Sequence, residues 1–355
     1  MTTKFRLPVL REAKDEKTVV GRSSAADRIS NLLSRSKSAI SKVMESFSAN
    51  DKAASAIPVN PKYQSLSITV PGGCPNACKF CVSDMHEEKG IPNLLKDQKK
   101  REELKRDVLD RLVWAKEKGT DTLVLTGSSS EPVVHVAFLK YIKEINEALP
   151  SPFRRIEIQT SGAELTDERL QFLKEMRVKT VALSLSSLDS DENSEINRTP
   201  NKLKVDIGSL SGRIRDMGFN LRLCINLNGA FDKFFDAGME SFFDRCIKLG
   251  ANQLTFRNLF TSGKGSGQDQ WIESHKFDPE LLTQLFRYIK TEGTAKDRLP
   301  FGAIVYTIKQ SIATIVDDDC MNSAGPQASG MQKYCILRED GKLYYDWADA
   351  GTLIL

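Results

Sequence analysis

The chain has 355 residues, 40% of them hydrophobic and 28% charged, and a formal net charge of +4. That length buries a large core as one α/β domain or one domain with appendages, and the charge is too small to indicate a dedicated nucleic-acid binder. No apolar run approaches the ~18–20 residues that cross a bilayer, and the opening MTTKFRLPVLREAKDEK lacks the pattern of a secretory signal, so no membrane association and a cytoplasmic location are expected.

The charge excess is local. Residues 1–60 hold eleven Lys/Arg against six Asp/Glu, a net of +5. Within them Ile29, Leu32, Leu33, Ile40, Val43 and Met44 recur at helical spacing in a Ser/Ala-rich stretch, and AIPVNPKYQ follows. The pattern predicts a partly helical, basic N-terminal extension over 1–60. Such an arm is either a solvated extension or a contact for nucleic acid or an acidic partner.

From residue 61 a strand–helix rhythm sets in. SLSITV (65–70) reads as a strand, and a charged helix over 97–119 follows a cysteine-bearing loop. DTLVLTG is a second strand and VVHVAFLKYIKEINEAL a helix. RRIEIQTSG is a third strand, followed by TDERLQFLKEMR, a helix capped by Thr166. VKTVALSLSS, a looped insertion and the helix VDIGSLSGRIRDMG come next. NLRLCINLNG, the helix FFDAGMESFFDRCIKLG, the strand NQLTFRNLF and the helix PELLTQLFRYIKTEG complete the series. Six strand-then-helix units predict parallel strands with right-handed crossovers, and the count fits a partial, TIM-like (β/α)6 barrel over 61–295. Residues 296–355 break the rhythm into a short C-terminal α+β region with a hairpin at CILREDGKLYYDW.

The reacting groups of such a barrel belong on loops after the C-terminal ends of its strands, where the first unit carries VPGGCPNACKFCVSDM. Three of the seven cysteines, Cys74, Cys78 and Cys81, stand there as Cys-x-x-x-Cys-x-x-Cys. In a reducing compartment a tight cluster points to a metal or redox site rather than to disulfides. Closed structural zinc sites take four ligands, commonly as two pairs, and no partner pair lies nearby. A 4Fe–4S cluster held by three thiolates keeps one iron open for a substrate or cofactor. Gly72 and Gly73 allow the backbone a close approach, and Phe80 could shield one face. A non-catalytic Fe–S or zinc scaffold or sensor is the competing reading.

The motif and its place in the barrel resemble the radical S-adenosylmethionine (radical SAM) superfamily. The resemblance implies one 4Fe–4S cluster on Cys74, Cys78 and Cys81, whose open iron binds the amino and carboxylate groups of S-adenosylmethionine (SAM). It also implies a one-electron donor such as flavodoxin or ferredoxin, reductive cleavage of SAM to a 5′-deoxyadenosyl radical, and hydrogen-atom abstraction from a substrate. No acid–base catalytic residue is assigned.

Further positions agree with that family. In LTGSSSEP, Gly127 and Glu131-Pro132 resemble a Gly-Gly-Glu-Pro motif that holds the SAM amino group, although Ser128–Ser130 lengthen the turn. Glu131 could instead act as a helix N-terminal charge. The segments VALSLSSLDS, LRLCINLNG and LTFRNLF resemble the molybdopterin-pathway GTP cyclase branch, with its SPASM–twitch relatives. Carried over, Ser184 or Ser186 and Asn226 contact SAM, and Arg257 sits near cofactor or substrate; Thr160 and Ser161 are weaker candidates. Small hydroxyls at strand ends also bond nearby backbone, which is the plainer role for the serines. Ser186 stands where the branch has Asp, and Asp346 where its C-terminal hairpin has a cluster cysteine. No second cluster is therefore expected, and molybdopterin synthesis is not. Cys320 and Cys335 are expected as buried thiols or cavity lining, Cys224 and Cys246 as core, and His86 as a loop-packing residue or proton relay.

The expected function is a radical SAM enzyme acting on a small molecule or nucleotide. The alternative substrate is a macromolecule, RNA or peptide, docked through the basic arm.

Overall fold

The computed structural model describes residues 62–85, 91–299, 304–309, 312–317, 331–347 and 353–355. The segment in which a helical N-terminal extension is expected, His86 and Cys320 lie outside the described residues. The chain divides into two compact units, Met1–Ser55 and Ala56–Leu355, and the description below concerns the second.

Strands β1 (Lys62–Thr69), β2 (Thr122–Thr126), β3 (Arg155–Thr160), β4 (Thr180–Leu185), β5 (Asn220–Leu227) and β6 (Gln253–Asn258) lie side by side in chain order, all parallel. The helices between them are α1 (Val82–Met85), α2 (Gln98–Glu103), α3 (Lys105–Glu117), α4 (Val136–Ala148), α5 (Asp167–Glu175), α6 (Ser190–Ile196), α7 (Ile207–Asp216) and α8 (Met239–Lys248). After β6 come α9 (Gly267–Ser274) and α10 (Pro279–Glu292). The expected charged helix over 97–119 is two, α2 and α3, meeting at Leu104.

The C-terminal region extends the same sheet. β9 (Ile312–Asp317) pairs parallel with β6, and β10 (Met331–Leu337) pairs parallel with β1. β8 (Ile304–Ile308) and β7 (Thr294–Arg298) continue antiparallel beyond β9, and β11 (Leu343–Tyr344) pairs antiparallel with β10 in the expected hairpin. The sheet runs β11-β10-β1-β2-β3-β4-β5-β6-β9-β8-β7, and its two end strands do not pair. This is the partial barrel of the expected fold class.

Strand alternation separates two faces. In RIEIQT, Ile156 and Ile158 are buried in the hydrophobic core, while Glu157 and Gln159 take the opposite face. Leu123 and Leu125 of β2, Leu221, Leu223 and Ile225 of β5, and Leu254 and Phe256 of β6 join that core. They meet Phe138, Ile142 and Ile145 of α4 and Leu170 and Leu173 of α5. Each such side chain contributes about 1.5–3 kcal/mol on full burial, which fixes the strand register.

Helix starts follow local chemistry. Thr166 caps α5 by accepting from Arg169 N, as its sequence predicts, and Asp206 and Asp278 cap α7 and α10. α6 falls where a looped insertion is expected. Its sequence SDENSEI has no apolar stripe, and the readable signal was Asp189, which accepts from Glu192 N at 2.8 Å. No helix among the described residues is long and apolar enough to cross a membrane.

Candidate active site

The cysteine loop leaves the C-terminal end of β1 and is held from two sides. Toward β2, Val70 N donates to Thr126 O at 2.7 Å, and Gly73 O accepts from Glu131 N at 3.2 Å. His135 Nε2 lies 2.9 Å from the same Gly73 oxygen. The Ser130 hydroxyl donates to Val70 O, and the Ser83 hydroxyl to Ser128 O. Gly72 has φ +134°, and a Cβ there would overlap the His135 ring, so this position needs glycine twice over. Gly127 is constrained by space alone, because a Cβ would overlap Ser130.

On the other side α6 presents its C-terminal carbonyls. Ala77 N donates to Asn197 O at 3.2 Å, Lys79 N donates to Ile196 O at 3.0 Å, and Lys79 Nζ pairs with Glu195 at 3.0 Å. Carbonyls without helical partners thus become acceptors for the cysteine loop. Within the loop, Cys81 N donates to Cys78 O and Asp84 N to Cys81 O.

Cys74 is exposed and Cys78 and Cys81 are half-buried. Although Cys74 as a residue is exposed, the protein around its sulfur desolvates the thiol and pushes it up to about 11, with Glu131 and Cys81 adding to the rise and a backbone hydrogen bond opposing it. Burial, then the charges of Cys81 and Cys74, pushes Cys78 up to about 12. Cys74 and Cys78 therefore favour the protonated form at neutral pH without a metal, and metal binding to them must release protons. Among the described residues no three His, Cys, Asp or Glu side chains gather as ligands of one ion. A cuboidal cluster makes a different demand, since its thiolates bind separate irons, and three mutually interacting thiols on one anchored loop fit it.

Glu131 adjoins this loop and is 3% exposed. Its Oε2 accepts from Ser161 N at 2.8 Å and from Ser161 Oγ at 2.6 Å, while its Oε1 is buried with no hydrogen-bond partner. Burial raises its pKa, and the bonds from Ser161 and Thr160 oppose that rise. The Val133 backbone in the turn Pro132–Val134 also lowers it, and the short hydrogen bonds of the side chain go to Ser161. Thr160 and Ser161 thus belong to the same cluster as Glu131.

Ser184, Asn226 and Arg257 share the sheet face opposite the helices. Ser184 is in register with Cys224, and Asn226 with Arg257. Ser186 does not join them. It is 0% exposed, its hydroxyl donates to Asn197 Oδ1 at 2.8 Å, and its N donates to Asn193 Oδ1 at 2.8 Å. Because the strand ends at Leu185, the alternation that would aim Ser186 is lost, and its bonds go to α6 and the residue after it. Asn228 completes the bracket by donating to Ser186 O and Asn226 O at 2.9 and 2.8 Å. Phe80 lies 5.9 Å from Trp271 of α9, and Gln268 of that helix donates to Asp84 at 3.2 Å.

Cys224, Cys246 and Cys335 are all buried as expected, Cys246 and Cys335 within the main hydrophobic cluster and Cys224 outside it. Cys224 is buried on the inner face, beside Ser184. Sequence reading also missed the inner-face ion pair. Arg222 Nη1 and Nη2 donate to Glu157 at 2.6 and 2.9 Å and its Nε donates to Gln253 at 2.8 Å. The alternations RIEIQT and LRLCIN were the available signal, since each places a polar side chain opposite an aliphatic one.

Residues 68–206 match the family model described as Radical SAM superfamily, a span that takes in the cysteine loop, Glu131 and Ser184. Solved structures share the fold at low identity. Streptococcus suis SuiB bound to S-adenosylmethionine is 15% identical with a TM-score of 0.50, over 80% of this chain and 60% of that one. The same protein bound to its precursor peptide SuiA gives 15% and 0.50, over 94% and 67%. A polyhistidine-tagged anSMEcpe with bound AdoMet gives 13% and 0.52, over 80% and 71%. The chain thus spans 60% of the length of the SAM-bound SuiB chain it resembles. No curated protein sequence matches it. The span 68–206 is thus similar to the radical SAM superfamily, and the chain shares the fold of these SAM-bound structures.

Proposed function

We propose that Cys74, Cys78 and Cys81 hold a 4Fe–4S cluster and that the enzyme reductively cleaves SAM to abstract a hydrogen atom from a small polar molecule or nucleotide. The observation that carries this reading is Glu131, with one buried oxygen fixed by Ser161 and the other without a partner beside the cysteine loop. An unsatisfied buried acceptor costs about 1–3 kcal/mol, and a ligand ammonium removes that cost with a charge-assisted bond. Glu131 is accordingly assigned to the SAM amino group. Ser161 and Thr160 orient the carboxylate. Gly127 allows the tight turn that presents it. Ser184, Asn226 and Arg257 line the cofactor–substrate side of the barrel, and Phe80, backed by Trp271, shields one face of the cluster or cofactor. Ser186 acts at one remove, by fixing Asn197 and with it the Ala77 backbone. When bound, the cluster supplies the electron that breaks the sulfonium bond, received from a flavodoxin- or ferredoxin-type donor.

The polar inner face, with Thr126, Gln159, Glu157 and Arg222 hydrogen-bonded there, supports a substrate rich in hydrogen-bonding groups. A peptide or RNA is the second reading. It is supported by the net +5 of residues 1–60, and by the peptides bound to SuiB and, at 12% identity and a TM-score of 0.51, to anSMEcpe.

Anaerobic reconstitution with iron and sulfide, followed by dithionite and SAM, tests the proposal. The expected result is 4Fe–4S absorption and 5′-deoxyadenosine; a folded chain that produces neither is the scaffold of the competing reading. Deleting residues 1–55 separates the two substrate classes, because turnover of a full-length RNA or peptide that survives the deletion removes the docking-arm idea.

A further inference from the structure

The turn after β2 departs from Gly-Gly-Glu-Pro by its serines, and two of them have fixed partners. Ser130 bonds Val70, where the cysteine loop begins. Ser128 is bonded on both sides. Its carbonyl accepts from the Ser83 hydroxyl in α1, two residues beyond Cys81. Its own hydroxyl donates to Glu339 Oε1 at 2.6 Å, across 211 residues of sequence.

Glu339 lies in the turn between β10 and β11. Because β10 runs parallel to β1, that turn emerges at the same end of the sheet as the cysteine loop. Glu339 is 5% exposed, its backbone oxygen accepts from Leu95 N at 2.8 Å, and its Oε2 is buried without a partner. A carboxylate in so dry a setting is a strong, directional acceptor for a single hydroxyl.

We propose that Glu339 is a positioning residue for the cluster loop: it fixes Ser128, whose carbonyl in turn fixes Ser83 and the Cys81 end of the loop. The C-terminal hairpin, which carries Asp346 where a relative carries a ligand cysteine, thereby serves the first site rather than a second one. This inference rests on the reading of Cys74, Cys78 and Cys81 as cluster ligands.

The test uses the full-length chain as wild type, Glu339→Ala, Glu339→Gln, Ser128→Ala and the double alanine variant. Hydrogen exchange of the 70–85 segment is followed before and after anaerobic reconstitution, alongside iron per chain and the electron paramagnetic resonance spectrum of the reduced protein with SAM. Each alanine variant is expected to exchange roughly tenfold faster or more in that segment, with less iron and an altered spectrum. The double variant should be no worse than either single, because one bond is lost in all three. Glu339→Gln, which keeps an acceptor oxygen, should restore the wild-type behaviour. Wild-type exchange in Glu339→Ala, or failure of Glu339→Gln to restore it, overturns the proposal. If Glu339→Ala does not fold, Ser128→Ala decides in its place, since it removes a single hydroxyl. A wild type that takes up no cluster defeats the proposed function alone, and exchange in the metal-free protein still decides the role of Glu339.

Discussion

Ser161 gives both its backbone N–H and its hydroxyl to one oxygen of Glu131, at 2.8 and 2.6 Å, and leaves the other oxygen to be satisfied from elsewhere. A carboxylate held by two donors on one side has a fixed direction on the other. That asymmetry is what a binding group needs and what a helix-end charge does not.

Glu131→Gln should weaken SAM binding to the reconstituted protein by roughly tenfold to a hundredfold while leaving the barrel folded, because a charge-assisted bond is exchanged for a neutral one. Equilibrium dialysis with SAM, beside circular dichroism, measures both; unchanged affinity would remove Glu131 from the site.

The raised pKa of Glu131 has a definite sign in stability. Above the ordinary value of 4.5 the unfolded chain ionises this group before the folded one does. The folded state then holds the extra proton, and stability falls as pH rises from 4.5 through the raised folded value. Urea midpoints of the metal-free chain should fall more steeply over that window in wild type than in Glu131→Gln. SAM affinity should move the opposite way, strengthening as the carboxylate ionises.

Gly72→Ala should displace the His135 ring and loosen Gly73, whose carbonyl takes bonds from His135 and Glu131. A residue with a Cβ at positive φ adds strain of about 1–3 kcal/mol. Lower iron content and a lower urea midpoint are expected. His135→Ala in the same chain should recover part of the stability by opening the space, but not the iron.

Cys78→Ala should abolish the cluster and leave the sheet and helices intact, because the loop is carried by backbone bonds to α6 and the β2 turn. Iron analysis and far-ultraviolet circular dichroism check this. Collapse of the fold would identify a structural metal instead.

The Glu157–Arg222 pair, with each side chain 17% exposed, should be costly to halve. Arg222→Met leaves a half-buried carboxylate without its partner and should destabilise by about 1–3 kcal/mol, whereas adding Glu157→Gln should return part of it. A double-mutant cycle in urea reads the coupling.

Local chemistry was legible in the chain before any contact was known. RIEIQT declares a two-faced strand, Thr166 declares a helix start, and Cys74, Cys78 and Cys81 stand together on the loop after the first strand. Each of these depends on side chains within a few residues of one another, so period and spacing suffice. Long-range placement was not legible. β9 and β10 join β6 and β1 by parallel pairing, α6 receives the cysteine loop on its last carbonyls, Ser186 turns to Asn197, and Cys224 is buried in register with Ser184. Those outcomes depend on which strand lies beside which and where each strand ends, and a one-residue change of register reverses the face a side chain takes. That three thiols share one short loop is written in the chain itself. What holds the loop still is a matter of folded contacts, because its partners at Glu131, Asn197 and, through Ser128, Glu339 come from distant parts of the chain.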